Sequence, residues 1–415
     1  MGEGTVYVIG AGLAGLSAAT ALAEKGRRVE VIEAAPQAGG RCRSYFDSQL
    51  GQIIDNGNHF VLSGNHATMR FLERTGAQDR LAGPAKAGVA CVDIRSGERW
   101  SIAPNDGPVP FWLFSKKRRV PGTTAKDYLE IAKLLRVGRD RPLRDVLSCR
   151  GVLWKRLFEP FFVGALNTEP ETASAALASA LVRETFAKGG KAYRIRIAHP
   201  TLASVFVEPA IAFLSTHGAE LHLGQRIRQI VFDDRAAIAL ELTEKTIPVS
   251  PADTIVLAVP PWAATDLLPG IAAPDDFRSI VNAHFKIPAP AGVPLMLGVI
   301  GGTAQWIFSF EDRISVTISN ADTLVNDDRE TLARTIWADV VKALEFTVPL
   351  PPWQIVKEKR ATFAATPEQA AKRPPAATRW PNLLLAGDWT ATGLPATIEG
   401  AIRSGHKAAE LALPA

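Results

Sequence analysis

Three glycines and one carboxylate give the first forty residues of this sequence a definite chemistry. Gly10-Ala11-Gly12-Leu13-Ala14-Gly15 stands between a β-branched and aromatic run, Thr5 to Ile9, and an apolar stretch, Leu16 to Glu24. A second strand-like run, Arg28 to Ile32, ends in Glu33. Gly10 permits a tight turn, Gly12 lets a pyrophosphate approach the backbone, and Gly15 lets a helix pack close to a sheet. Unpaired N–H groups of that helix's first turn face the phosphates, and Glu33 can accept both hydroxyls of an adenosine ribose. A glycine-rich turn alone is common. With strand, helix and acid each in place, the stretch reads as a dinucleotide-binding unit, with Ala11, Ala14 and Ala34 in its cradle.

Beyond Glu33, Gly39-Gly40-Arg41 lets the backbone pass beside the pyrophosphate and adds a guanidinium with a fixed charge and five donors. Near the C-terminus a strand from Asn382 ends in Gly387-Asp388, and Pro395-Ala396-Thr397-Ile398 opens a helix. Together these stretches resemble the FAD-binding domain of the amine oxidase and phytoene desaturase superfamily. The resemblance implies FAD, with Asp388 holding the ribityl chain or a bridging water. It directs the helix N-terminus at Thr397 and Ile398 toward the N1–C2=O edge of the flavin. It also implies that Gly57, Asn58 and His59 pass the isoalloxazine and that the backbone of Ile227 hydrogen-bonds adenine. The bland reading of Asp55-Asn56-Gly57-Asn58-His59 is a turn whose polar side chains satisfy local backbone. No cysteine follows Cys149, so the covalent cysteinyl link of some superfamily amine oxidases is not expected, and FAD binding should be non-covalent.

The elements that must position these residues can be read from periodicity and turn residues. A helix is expected over Ala67 to Arg80, and paired strands over Ala90 to Ile102 about a Ser96-Gly97 turn. Further helices are expected over Tyr128 to Arg136, Leu153 to Leu166 and Thr172 to Phe186, and one from Leu202 to near Gly218. A small β-meander follows Ala219, then the apolar parallel strand Asp253 to Pro260. Strands at Ser279 to Phe285, Leu295 to Ile300 and Ile314 to Ser319 precede an amphipathic helix, Asp327 to Leu344. The fold class expected is α/β: an FAD-binding, Rossmann-like (GR2-type) domain with an interleaved α+β substrate domain. Residues 1–64, 205–270 and 380–415 would form the first, and 65–204 and 271–379 the second.

A chain of 415 residues, 47% hydrophobic and 21% charged, has ample material for two domains. Its net charge of +5 would allow nucleic acid on charge alone, but no nucleic-acid motif accompanies it, and an anionic membrane surface suits the balance as well. Cys42, Cys91 and Cys149 have no paired spacing, so neither a disulfide framework nor a metal site is expected. The N-terminal apolar run is the nucleotide-binding strand and helix and has no signal-peptide character. No stretch is long enough to span a bilayer.

Several stretches resemble one family within the superfamily, the squalene-associated FAD-dependent desaturases described as hydroxysqualene dehydroxylases. They are the Asp55 to His59 turn, Ile280-Val281-Asn282-Ala283-His284-Phe285, the Thr303 to Phe308 segment with its Gln-Trp pair, and Leu385 to Gly400. The resemblance implies reductive removal of an allylic hydroxyl from a lipophilic isoprenoid, hydroxysqualene, giving squalene. His59 would be the proton donor, with Asp55 and His284 behind it, or a water held by Asn58 would serve. Such a substrate lives in the bilayer, so an apolar tunnel and peripheral docking on the cytoplasmic face of the inner membrane are expected. The segment near 104–125 could dock: its Phe111-Trp112-Leu113-Phe114 rings would enter the headgroup layer, and Lys116-Lys117-Arg118-Arg119 would meet anionic lipid. A carotenoid-type desaturase, a flavin amine oxidase and a non-enzymatic isoprenoid-binding chaperone of the same fold are the alternatives. The chain carries no second dinucleotide motif, so the electron donor is unknown.

Overall fold

A computed structural model describes residues 4–413; positions 1–3 and 414–415, the extremes of the expected first and last segments, lie outside the described residues. Strand β1 (Val6–Ile9), helix α1 (Leu13–Ala23) and strand β2 (Val29–Ile32) form the first crossover unit. Around them lies a five-stranded parallel sheet, in the order Glu220–His222, β2, β1, Thr254–Leu257, Leu383–Leu385. Three distant parts of the chain therefore meet in one sheet. Every residue of β1 and of the strand beside it from Ile255 is buried, which accounts for their unbroken apolar sequence.

The C-terminal helix Ile398–Ala412 packs against α1, where the Ser17 hydroxyl donates to the carbonyl of Ile402 at 2.9 Å. A hairpin of β3 (Ser44–Asp47) and β4 (Gln52–Asp55) follows the nucleotide unit and leads into the Asn56 to His59 turn. Helix α2 (His66–Thr75), on the substrate side of the sequence division, lies against α1 and the C-terminal helix. It stops short of the expected Arg80 because Gly76 takes a left-handed φ of 69° and caps it.

A seven-stranded sheet forms the second layer, in the order Trp353–Phe363, Phe277–Phe285, Ile314–Ile318, Trp306–Ser309, Met296–Ile300, Val89–Asp93, Glu98–Ile102. Its strands are antiparallel except where Met296–Ile300 runs parallel to Val89–Asp93. The helix Arg329–Leu344, capped by the Asp328 carboxylate, covers it with Leu332, Ile336, Trp337 and Val340. A separate aromatic core joins Trp112, Tyr128, Trp154, Phe158 and Phe162.

The helix expected over Tyr128 to Arg136 is wound as a 3₁₀ helix, Asp127–Arg136. A repeat of three residues per turn explains the choice. It puts Tyr128, Ile131 and Leu134 on the inner face, leaves Leu129, Ala132 and Leu135 exposed, and lines up Asp127, Glu130, Lys133 and Arg136 on the third face.

Candidate active site

The glycine turn has the shape a dinucleotide requires. Gly10 has a φ of 107°, and a Cβ on Gly15 would stand 1.9 Å from the Gly10 carbonyl oxygen, so neither position admits another residue without rearrangement. A Cβ on Gly12 would meet nothing within 4 Å. That open space lies at the N-cap of α1, where no side chain caps the helix, so its first N–H groups are left to a ligand. Glu33 Oε2 accepts from the Ala11 N–H at 2.7 Å and Oε1 from the Ala35 N–H at 2.8 Å, and Ala34 between Glu33 and Ala35 is exposed. A carboxylate has about four lone-pair directions, so both oxygens can still accept ribose hydroxyls.

Two further segments close on this turn. The Gly39 N–H donates to the Ala11 carbonyl at 2.8 Å, which sets Gly40 beside Gly12, and buried Ala14 lies in the first turn of α1 below. The Gln225 N–H donates to the Glu33 carbonyl at 2.8 Å and leads into Ile227, the first residue of the meander. The residues present therefore fit the adenosine and pyrophosphate of a dinucleotide.

Arg41 joins the two ends of the sequence. Its Nη2 donates to Asp388 Oδ1 at 2.6 Å and its Nη1 to the Ala361 carbonyl at 2.5 Å. Sequence reasoning missed the residue that shapes the Asp388 loop, Arg373. Its guanidinium donates to the carbonyls of Asp388 at 3.1 Å and Thr390, and to Thr392 Oγ1 at 2.9 Å, and burial lowers its pKa to about 10. Trp389 turns away from the loop into the core and donates from Nε1 to the Val259 carbonyl at 2.9 Å. Thr397 caps the last helix by accepting from the Gly400 N–H at 3.0 Å, which leaves Ile398 as its first residue. Glu399, also missed, is buried and caps α2, accepting from the Ala67 and Thr68 N–H groups at 3.1 and 2.9 Å. An acid in the first turn of the last helix was its only signal in the sequence.

The four candidates for proton chemistry fall into two groups. A Cβ on Gly57 would lie 3.0 Å from Asn282 Nδ2 and 3.5 Å from His59 Nε2, which places the Asn58-His59 turn over the seven-stranded sheet at Asn282. His59 is half-buried, with no hydrogen bond among the described residues; burial and the charge of Arg41 pull its pKa down to about 4. Asp55 and His284 lie deeper. Asp55 Oδ1 accepts from Ser44 Oγ at 2.6 Å and the Leu202 N–H at 2.9 Å, and Oδ2 is 3.6 Å from Arg313. The Asp55 carboxylate thus ties β3 and β4 to the chain entering the helix at 203, and burial raises its pKa. His284 is fully buried with Nδ1 2.8 Å from Ser315 Oγ, and burial and Arg313 lower its pKa to about 3.

In the basic segment one expectation is corrected. Trp112 faces inward, 5% exposed, its ring edge-on to Tyr128 at 5.4 Å, whereas Phe111 and Phe114 are 67% and 77% exposed. With three residues per turn, Phe111 and Phe114 share the outer face of this short 3₁₀ helix and Trp112 cannot join them. A cavity of about 720 Å³ between Val299 to Trp306 and Val152 to Val163 contains none of the expected site residues. Its walls carry Asp93, Arg95, Glu98, Lys155, Arg156 and Glu159, so it is not an apolar tunnel. No helix among the described residues is long and apolar enough to cross a membrane.

The model of the family described as flavin containing amine oxidoreductase matches residues 13–413. The hydroxysqualene dehydroxylase of Rhodopseudomonas palustris is 49% identical over 99% of both chains, and that of Zymomonas mobilis 47% identical over 98% of both. Cyclohexylamine oxidase from Brevibacterium oxydans superposes with a TM-score of 0.70 over 99% of both chains at 18% identity, a likeness of fold alone. With identity this high over nearly the full length of its relatives, the chain belongs to the flavin-containing amine oxidoreductase family and, within it, to the hydroxysqualene dehydroxylases.

Proposed function

We propose that this protein is an FAD-dependent oxidoreductase that removes the allylic hydroxyl of hydroxysqualene to give squalene. The observation that carries this reading is the 47–49% identity to hydroxysqualene dehydroxylases along essentially the whole chain. FAD is held without a covalent bond, its adenosine half against Gly10 to Gly15, Glu33, Ala34 and Ile227, its pyrophosphate beside Gly40 and Arg41. Asp388, Thr397, Ile398 and Gly57 belong to the flavin half. The chain divides into an FAD-binding part (1–64, 205–270, 380–415) and a substrate part (65–204, 271–379), except that α2 goes to the FAD side because its N-terminus is capped by Glu399.

Reduced FAD, when bound, would supply the hydride that replaces the hydroxyl on the allylic carbon. The chain's own task is to make the hydroxyl leave: hydroxide is a poor leaving group, so the oxygen takes a proton and departs as water. His59 is the proton donor. With a pKa near 4 its imidazolium is scarce at neutral pH, and, once formed, strongly acidic toward a weakly basic alcohol. Asp55 has no part in the transfer, since its carboxylate is taken up by Ser44, the Leu202 N–H and Arg313; His284, whose Nδ1 meets Ser315 and whose Nε2 has no partner among the described residues, stands behind His59 because it is fully buried.

The substrate reaches the enzyme from a lipid surface. Exposed Phe111 and Phe114, with the Leu129, Ala132 and Leu135 face of the neighbouring 3₁₀ helix, form the apolar part of the docking surface; exposed Lys116, Lys117 and Lys126 form its cationic part. Peripheral attachment to the cytoplasmic face of the inner membrane follows from this reading. Anaerobic mixing of photoreduced enzyme with hydroxysqualene tests the reaction: oxidised flavin and squalene should form together. Flavin that stays reduced would overturn the assignment.

A further inference from the structure

The Asn58 side chain sits at the end of a directional hydrogen-bond relay through Asn282 and Thr317, two residues to which the site described above gives no role. Strands Phe277–Phe285 and Ile314–Ile318 pair antiparallel with Asn282 opposite Thr317, so both side chains share one face. Asn282 is fixed by backbone: its Oδ1 accepts from the Asn58 N–H at 3.4 Å, and its Nδ2 donates to the Asn56 carbonyl at 3.4 Å. A peptide N–H can only donate and a carbonyl can only accept, so the Asn282 amide has one possible orientation. The Thr317 hydroxyl has a single hydrogen, and it goes to Asn282 Oδ1 at 2.7 Å. The same hydroxyl must then accept from Asn58, which donates through Nδ2 at 3.1 Å. That leaves Asn58 Oδ1 buried and without a partner among the described residues, in a side chain 8% exposed. A buried acceptor left unpaired is costly unless a ligand pairs it.

We propose that Asn282 and Thr317 are positioning residues that lock the Asn58 carboxamide so that its Oδ1 accepts a hydrogen bond from the substrate's hydroxyl. This rests on the alcohol reading of the previous subsection. The alcohol's own hydrogen then points at Asn58, which turns the oxygen's lone pairs toward the proton donor. The site selects a hydrogen-bond donor: an alcohol fits, and the corresponding ether leaves Oδ1 unpaired.

The test uses the FAD-loaded oxidised enzyme, which cannot reduce the ligand, titrated with hydroxysqualene and with its methyl ether and followed by perturbation of the flavin spectrum. The parent should bind the alcohol roughly tenfold more tightly than the ether, the size of one buried hydrogen bond. Thr317→Ser should keep that ratio, and Thr317→Val should bring it close to one. Because both ligands are compared on the same protein, a change in folded fraction does not move the ratio. Equal binding of alcohol and ether by the parent overturns the proposal, even if Thr317→Val cannot be purified, and so does an unchanged ratio in Thr317→Val. If reduced parent enzyme still converts hydroxysqualene in those cases, only the relay has failed. If it leaves hydroxysqualene unconverted, the alcohol reading itself has failed.

Discussion

The lowered pKa of His59 makes the proton-donor assignment measurable. With its pKa at about 4, the imidazolium fraction of the free enzyme at pH 7 is about one part in a thousand. If the reaction runs through that fraction, kcat/KM, which reports ionisations of the free enzyme, rises roughly tenfold for each unit of pH lowered between 7 and 5. The assay is anaerobic stopped-flow reoxidation of reduced flavin by hydroxysqualene across that range, with folding checked at each pH by circular dichroism. His59→Gln keeps a polar side chain of similar length that does not titrate. It should lower the rate by ~10²–10⁴-fold at pH 5 and abolish the slope. A flat profile in the parent, or the same slope in His59→Gln, would refute the argument. The proton would then come from a water held at Asn58.

Three other outcomes follow from the geometry. Gly12→Val fills the open space at the α1 N-cap, and Glu33→Ala removes the carboxylate that braces Ala11 and Ala35, so each variant should lose flavin on dialysis; full flavin content in either would show the cradle to be misplaced. Phe111→Ser with Phe114→Ser should weaken salt-sensitive binding to anionic vesicles without lowering Tm, while Trp112→Ser should lower Tm by removing a buried ring; equal vesicle binding by the double variant would sink the docking surface. His284 stays neutral in the folded protein down to about pH 3 but takes a proton below pH 6.5 when unfolded, so its contribution is complete above 6.5 and is lost as pH falls; by pH 4.5 that loss is about 2 to 3 kcal/mol, and His284→Asn should be correspondingly less acid-sensitive in urea unfolding.

Local pattern disclosed most of the elements, because strands such as Val6–Ile9 and Thr254–Leu257 are buried on both faces and read as unbroken apolar runs. The glycine turn and Glu33 were legible because they lie within one contiguous crossover unit. What could not be read is what depends on registry between distant segments. Nothing local to Asn282 says that Thr317 stands opposite it, or that both lie under Asn58. Glu399 looks like an ordinary first-turn acid until α2 is seen ending on it. Trp112 was placed outward because rings beside a basic cluster suit lipid; the three-residue turn decides which of them can face it.

The long-range contacts also explain why the site needs both ends of the chain. Leu383–Leu385 is the last strand of the sheet that β1 begins, and the Ser17 to Ile402 contact docks the final helix on the first. Arg41 then meets Asp388 across the cradle. In this arrangement the N-terminal unit alone offers a turn and an acid, and the proposed flavin half of the site draws on the Asp388 loop and the helix N-terminus at Thr397 from the other end of the chain. Anything that binds the folded chain and not the unfolded one stabilises it in proportion to its affinity. A cofactor bridging Gly12 and Thr397, as proposed, would therefore also stabilise the closure of the five-stranded sheet, so loss of FAD should raise hydrogen exchange in the C-terminal strand and helix before it does so in the seven-stranded sheet's core of Val281, Val316 and Ile336.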